Sequence, residues 1–118
     1  MANLMNVHIA VQNLIGRNKM ATSKEYLTYI LDLLRECSNI TYKYMMSEYI
    51  LYKDGVIFGG IYDNRFLVKR TKSLGNMGLK EQIPYPGGSK MYLVESENPE
   101  EIKELVTLVI KDLAKCKS

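Results

Sequence analysis

The residues that could carry out acid–base or nucleophilic chemistry are few in this chain and widely spaced. The only histidine, His8, lies within the first nineteen residues. The rest of the chain therefore lacks the side chain that most often serves as a general base. Four carboxylates, Glu48, Asp54, Asp63 and Glu95, could act as a catalytic pair only if the fold brought two of them together. We therefore expect a protein that is not an enzyme.

The sequence also predicts no metal and no cofactor. The two cysteines, Cys37 and Cys116, fit neither a zinc-binding pattern nor a disulfide framework. Two reduced thiols of this kind are typical of a cytoplasmic protein. The run Gly87-Gly88-Ser89-Lys90 lacks the spacing of a phosphate-binding P-loop and precedes a predicted strand rather than a helix.

Length and composition indicate one globular domain. The chain has 118 residues, of which 47% are hydrophobic and 25% charged, and both fractions are ordinary for such a domain. No apolar run approaches the roughly 20 residues that span a bilayer, so no membrane role is expected. We place an N-terminal extension, which could contain a short helix, at 1–19 and the domain at 20–118.

The net charge bears on nucleic-acid binding. It is +3, but Arg17 and Lys19 lie in a segment without acidic residues. The other 14 of the 16 basic residues nearly balance the 13 acidic ones. The domain thus lacks the charge excess of a dedicated nucleic-acid binder.

The positioning element is an antiparallel meander over 41–69. Asp54-Gly55 and Asp63-Asn64 each separate two β-prone runs and suit tight two-residue turns. Two-residue loops predict a register in which Leu51 lies opposite Phe58. Because strand side chains alternate between the two sides of a sheet, this register assigns each side chain to one of two faces. The face predicted to lie under the helices carries Ile50, Tyr52, Ile57, Gly59, Ile61, Phe66 and Val68. The second face carries Tyr49, Leu51, Lys53, Val56, Phe58, Gly60, Tyr62, Arg65, Leu67 and Lys69.

Two amphipathic helices flank the meander. The first is predicted over about 23–37, with Thr22 and Glu25 spaced as a capping box. A returning strand is predicted over 91–94. The second helix follows Asn98, a favourable N-cap, with Pro99 at its first position. The sequence therefore predicts a two-layer α+β fold: an antiparallel meander sheet with N- and C-terminal helices packed on one face.

The mixed second face is the predicted interaction surface, because it combines aromatic, aliphatic and basic groups. Its candidate residues are Tyr49, Phe58, Tyr62, Arg65, Leu67 and Lys69. We expect it to bind a protein partner, and a homodimer through this face is one form of that expectation. Alternatives are a cover supplied by the chain itself, single-stranded nucleic acid stacked on the tyrosines, and a small ligand under a lid formed by the long loop 70–89.

The chain from Met20 to about Lys115 resembles the TfoX N-terminal domain family, named for bacterial competence regulators. The matching segments are Ser23-Lys24-Glu25-Tyr26-Leu27, Met45, Glu48-Tyr49, Leu51-Tyr52, Asp54-Gly55, Phe58-Gly59, Arg65-Phe66-Leu67-Val68-Lys69, Tyr85-Pro86-Gly87 and Met91-Tyr92-Leu93-Val94. Met46 and Ser47 stand where the family usually has an aromatic residue and glycine. The resemblance implies a standalone regulatory or interaction domain without a catalytic role. Full regulators also carry a C-terminal domain.

Overall fold

The computed structural model describes residues 22–116 and confirms the predicted α+β fold. Within that range, the elements are α1 (Lys24–Leu33), β1 (Ile40–Met45), β2 (Glu48–Lys53), β3 (Val56–Ile61), β4 (Phe66–Val68), a 3-10 turn (Lys72–Leu74), β5 (Glu81–Gln82), β6 (Met91–Leu93) and α2 (Pro99–Cys116). The strands form one antiparallel sheet in the order β1-β2-β3-β4-β6-β5. The helix suggested for 1–19 lies outside the described residues.

One hydrophobic core joins both helices to one face of the sheet. From α1 it takes Leu27, Ile30 and Leu33, and from α2 Ile102, Leu105, Val106 and Val109. These residues follow the three- and four-residue spacing of an amphipathic helix, so burying them fixes each helix against the sheet. Leu74 of the 3-10 turn is fully buried in the same core.

Three two-residue turns build the meander. Asp54 and Gly55 both have positive φ, as do Asp63 and Asn64, so both predicted turns are confirmed. The third turn is Met46-Ser47, with φ of 53° and 70°, where the sequence predicted only a short break or bulge. These two side chains are unusual for this left-handed conformation.

A β-bulge between β2 and β3 overturns part of the predicted register. Leu51 pairs with Gly59 rather than Phe58, while Tyr52 pairs with Ile57. The extra residue, Phe58, joins Gly59 on the helix-covered face, because a bulge places two residues opposite one. The assignment of Tyr49 to the second face is therefore wrong.

The bulge changes the face of each residue in β2 and of the first half of β3. Leu51 and Phe58 belong to the core beneath the helices, whereas Ile57 is exposed. The predicted face is correct for the second half of β3 and for β4, since Ile61 and Val68 belong to that same core. One extra residue thus separates the correct half of the prediction from the wrong half.

The start of α1 also differs from the prediction. Ser23, not Thr22, is the N-cap, and its hydroxyl accepts a hydrogen bond from the Tyr26 backbone N–H at 3.1 Å. The predicted cap of α2 is confirmed, because the Asn98 side chain accepts a hydrogen bond from the Glu100 N–H at 2.9 Å.

Candidate functional site

Most of the predicted interaction surface is inside the protein. Tyr49 and Phe58 lie in the core under the helices. Leu67 is fully buried, and Tyr62 is only 7% exposed. These four side chains cannot form the apolar centre of an exposed interface, so that part of the prediction is wrong. The bulge accounts for the first two, and Tyr85 of a covering loop packs on Tyr62.

The covering loop is residues 82–91, and Arg65 fixes it to the sheet. The Arg65 guanidinium donates to Gln82 Oε1 at 2.8 Å and to the carbonyls of Ile83 and Pro84, both at 3.2 Å. A planar guanidinium suits several acceptors at once. Arg65 therefore holds the loop in place instead of lying at the rim of an interface.

Two tyrosine rings meet beneath this loop. Tyr62 lies 6.2 Å from Tyr85 between ring centroids, and the space beside Gly60 is filled by the Tyr62 ring. Burial, with smaller contributions from Tyr85 and Glu48, raises the pKa of Tyr62 to about 12. Its hydroxyl therefore stays neutral at physiological pH.

A cleft of about 450 Å³ remains between the loop and the second face of the sheet. Its lining residues are Ile57, Gly59, Tyr62, Lys69, Arg70, Pro84, Tyr85, Ser89, Lys90 and Met91. Glu81 neutralises part of the positive charge, since its carboxylate lies 2.8 Å from Arg70 and 3.7 Å from Lys90. The hydrogen bond from Arg70 is the main reason that the pKa of Glu81 is lowered. The exposed Lys69 adds a further positive charge.

Of the four carboxylates considered for catalysis, Glu48 contacts the backbone of Asp63, in a structural cluster. Glu48 is buried, and its Oε1 accepts from the Thr22 hydroxyl at 3.0 Å and the Asp63 N–H at 3.3 Å. The Ser23 N–H donates to the Asn64 side chain at 3.0 Å. These bonds fasten the beginning of α1 to the β3–β4 turn. Within the described residues, no group of three or more metal-ligating side chains could hold an ion.

The most exposed apolar surface lies on β1 and the turn after it, which sequence reasoning did not single out. Tyr42 is 49% exposed, Tyr44 57%, Met45 43% and Met46 86%. Both exposed tyrosines pack against Tyr49, at centroid distances of 5.6 and 5.0 Å. We call these four exposed residues the β1 patch, in which Met45 lies on the opposite face of the strand from the two tyrosines. The sequence contained a signal for this surface. Because β1 is the first strand of the meander, only one of its two edges is paired by the strand that follows it.

The backbone of β1 is open along the whole strand. Among residues 22–116, no strand pairs with its outer edge. The Asn39 carbonyl accepts a hydrogen bond from the Asp54 backbone N–H at 3.1 Å. Because hydrogen-bonded and non-hydrogen-bonded residues alternate along an antiparallel pair, the backbone N–H and C=O groups of the odd-numbered residues of β1 point toward β2. The N–H and C=O groups of Ile40, Tyr42 and Tyr44 therefore point away from the sheet.

The opposite edge of the sheet is protected. Its strand, β5, has two residues, Glu81 and Gln82, and both side chains are engaged by arginines. Short strands and charged groups are the usual means of preventing further pairing. The two edges of this sheet thus differ sharply in what they offer to another strand.

Comparison with known proteins identifies no relative: no protein-family model matches the chain, and no curated protein matches it either. Over residues 22–116, neither helix has the length and apolar character needed to cross a membrane.

Proposed function

We propose that this protein is a non-catalytic regulatory domain that binds protein partners through the open edge of β1. The observation that carries the proposal is the combination of outward-facing backbone groups with the β1 patch. The proposal keeps the interaction role implied by the resemblance to the TfoX N-terminal domain family and moves its surface from the second sheet face to β1. The free thiol of Cys37 is consistent with a cytoplasmic location.

Strand addition explains how such a surface would work. A partner strand laid along β1 would satisfy backbone groups that no strand within residues 22–116 pairs with, which gives affinity. The side chains of Tyr42 and Tyr44 would supply selectivity, because tyrosine offers a large apolar ring with a polar end. Only Lys43 is charged among the six residues of β1, so the edge has little of the charge that normally discourages pairing.

Site-specific photo-crosslinking in the native cells tests the proposal. Tyr44 is replaced by the photoreactive amino acid p-benzoylphenylalanine, and the control carries it at Met77, which is similarly exposed between the 3-10 turn and β5. We expect protein adducts at position 44, reduced by a Tyr42→Pro change that removes one outward N–H. Absence of adducts at position 44, or equal adducts at both positions, would contradict the proposal.

The cleft favours a second candidate function, the binding of an anionic aromatic ligand or single-stranded nucleic acid. Lys69, Arg70 and Lys90 line it, and the half-exposed ring of Tyr85 lies there beside the buried Tyr62. Bases stack on aromatic side chains while cations hold the phosphates. A labelled single-stranded RNA should then bind with an affinity that falls steeply with salt.

The matched variants for this second candidate are Lys69→Glu at the cleft and Lys111→Glu on the exposed side of α2. We expect Lys69→Glu to weaken RNA binding and to reduce its salt dependence, whereas Lys111→Glu leaves both unchanged. Equal losses in the two variants would indicate attraction to the overall charge rather than to the cleft.

A further inference from the structure

The geometry points to a second copy of this chain as a partner of β1, paired antiparallel about a two-fold axis at Tyr42. We propose that two β1 strands join the two sheets into one continuous sheet. This inference rests on the proposed function, because it uses the same open edge, and it goes further by naming the occupant and the register.

The asymmetry of the sheet edges favours a closed pair. If β1 could pair with β5 of another copy, the contact would repeat and produce a filament. However, β5 is only two residues long and its Glu81 is held by Arg70 and Lys90. When two copies of this chain pair through their sheets, the open edge of one therefore meets the same edge of the other, which gives a two-fold dimer.

The direction of the backbone groups restricts the register. A two-fold axis perpendicular to the sheet requires facing residues whose numbers differ by an even number, because paired side chains share a face. With Tyr42 opposite Tyr42 of the second copy, Ile40 lies opposite Tyr44 of the second copy. All outward-facing groups of β1 are then used, which gives about six backbone hydrogen bonds.

The side chains select the same register. Centring the axis on Lys43 would place two ammonium groups directly opposite each other, which destabilises a strand pair. Centring it on Tyr44 would bring Met46 into the ladder, although Met46 has the positive φ of a turn residue. Centring it on Tyr42 places Lys43 opposite Thr41 and brings the exposed tyrosines of both copies together.

Sedimentation of the purified full chain tests the dimer. We expect the average mass to rise with concentration from 13.6 kDa toward twice that value, with weak association because a single pair of strands forms a small interface. The Tyr42→Pro variant should stay at the monomer mass, since position 42 bonds only outward. A native chain that remains monomeric up to about 1 mM would overturn the inference.

Cysteine crosslinking tests the register in a background where Cys37 and Cys116 are replaced by serine. Under oxidising conditions Tyr42→Cys should form a disulfide-linked dimer, because the two Cα atoms would lie within disulfide range at about 5.5 Å. Lys43→Cys, which faces Thr41 of the second copy, should not. Crosslinking through position 43 instead would overturn the register. A chain that still dimerises but crosslinks through neither position would overturn the β1 pairing.

These outcomes are distinguishable from failure of the proposed function. A monomeric purified chain that still gives adducts to a different protein at position 44 removes the self-pairing and leaves the interaction role intact. A chain that gives no adducts at position 44 and does not dimerise removes both.

Discussion

At the scale of single residues, the Met46-Ser47 turn carries conformational strain. Both residues adopt left-handed φ values of 53° and 70°, which cost a non-glycine residue about 1–2 kcal/mol. Asp54-Gly55 performs the same reversal one strand later with a glycine at its second position. The two turns therefore form an internal comparison.

We expect Ser47→Gly to stabilise the protein by up to about 1 kcal/mol, since relief of the strain exceeds the added entropy of an unfolded glycine. The converse change, Gly55→Ser, should lower stability by a similar amount, because Gly55 has φ of +79°. Urea denaturation measures both. A loss of stability in Ser47→Gly would mean that the turn is not strained.

At the scale of elements, the bulge shows what the sequence could and could not predict. Hydrophobic periodicity and turn residues were sufficient for both helices, the meander and the turns at Asp54-Gly55 and Asp63-Asn64. The run Val56–Ile61 is apolar on both faces, so alternation alone allows two registers. The glycine at 59 was a usable signal, because glycine inside a strand often marks a bulge or a close backbone approach. A Cβ there would lie 2.3 Å from Leu67 O.

The candidate site was harder to predict than the fold, because burial depends on elements that pair at long range. Tyr62 and Leu67 were correctly assigned to the second face, yet the loop whose Tyr85 packs on Tyr62 is held by Arg65 through bonds to residues 17–19 positions away. No local pattern encodes such contacts. The short strand β5 was missed for the same reason.

We expect Arg65→Ala to release the 82–91 loop from the sheet. Loss of its hydrogen bonds to Gln82, Ile83 and Pro84 should cost about 1–3 kcal/mol and speed amide hydrogen exchange in that segment. Arg70→Ala is the matched control, because its pairing with Glu81 is largely exposed and should contribute less than about 1 kcal/mol. Unchanged exchange over 82–85 in Arg65→Ala would show that the loop is held by other contacts.

The packing of α2 against the 3-10 turn should weaken at acid pH. The backbone N–H and hydroxyl of Ser73 both donate to Asp112 at 2.7 Å. These hydrogen bonds from Ser73 lower the pKa of Asp112 below its ordinary value of 3.8. A lowered folded-state pKa means that this stabilisation is present above about pH 4 and is lost as the pH falls further.

The Asp112→Asn variant should therefore be less stable than the native chain at pH 7, with the difference shrinking below pH 4. Urea midpoints at several pH values measure it, and Asp32→Asn, which removes a carboxylate from the exposed side of α1, is the control. A stability difference that stays constant down to pH 2 would argue against the hydrogen-bonded carboxylate.

At the scale of the whole molecule, the predicted domain start at Met20 can be checked by truncation. A chain beginning at Met20 keeps Thr22 and Ser23, which bond to Glu48 and Asn64, so its melting temperature should equal that of the full chain. A chain beginning at Lys24 loses the N-cap, worth about 1 kcal/mol, and the partner of a buried carboxylate. If both truncations melt early, the domain boundary lies before Met20.

The extra residue at Phe58 has a consequence for the whole surface, because it determines which side chains of the β1–β2 hairpin lie on the same face of the sheet as the helices. With it, Tyr42 and Tyr44 project on the same side as the helices, beyond their cover. A sequence one residue shorter there would present the hairpin reversed, with Thr41 and Lys43 on that side. A gap at this position in a future alignment would therefore separate chains whose β1 strands present opposite faces, even where every other strand agrees.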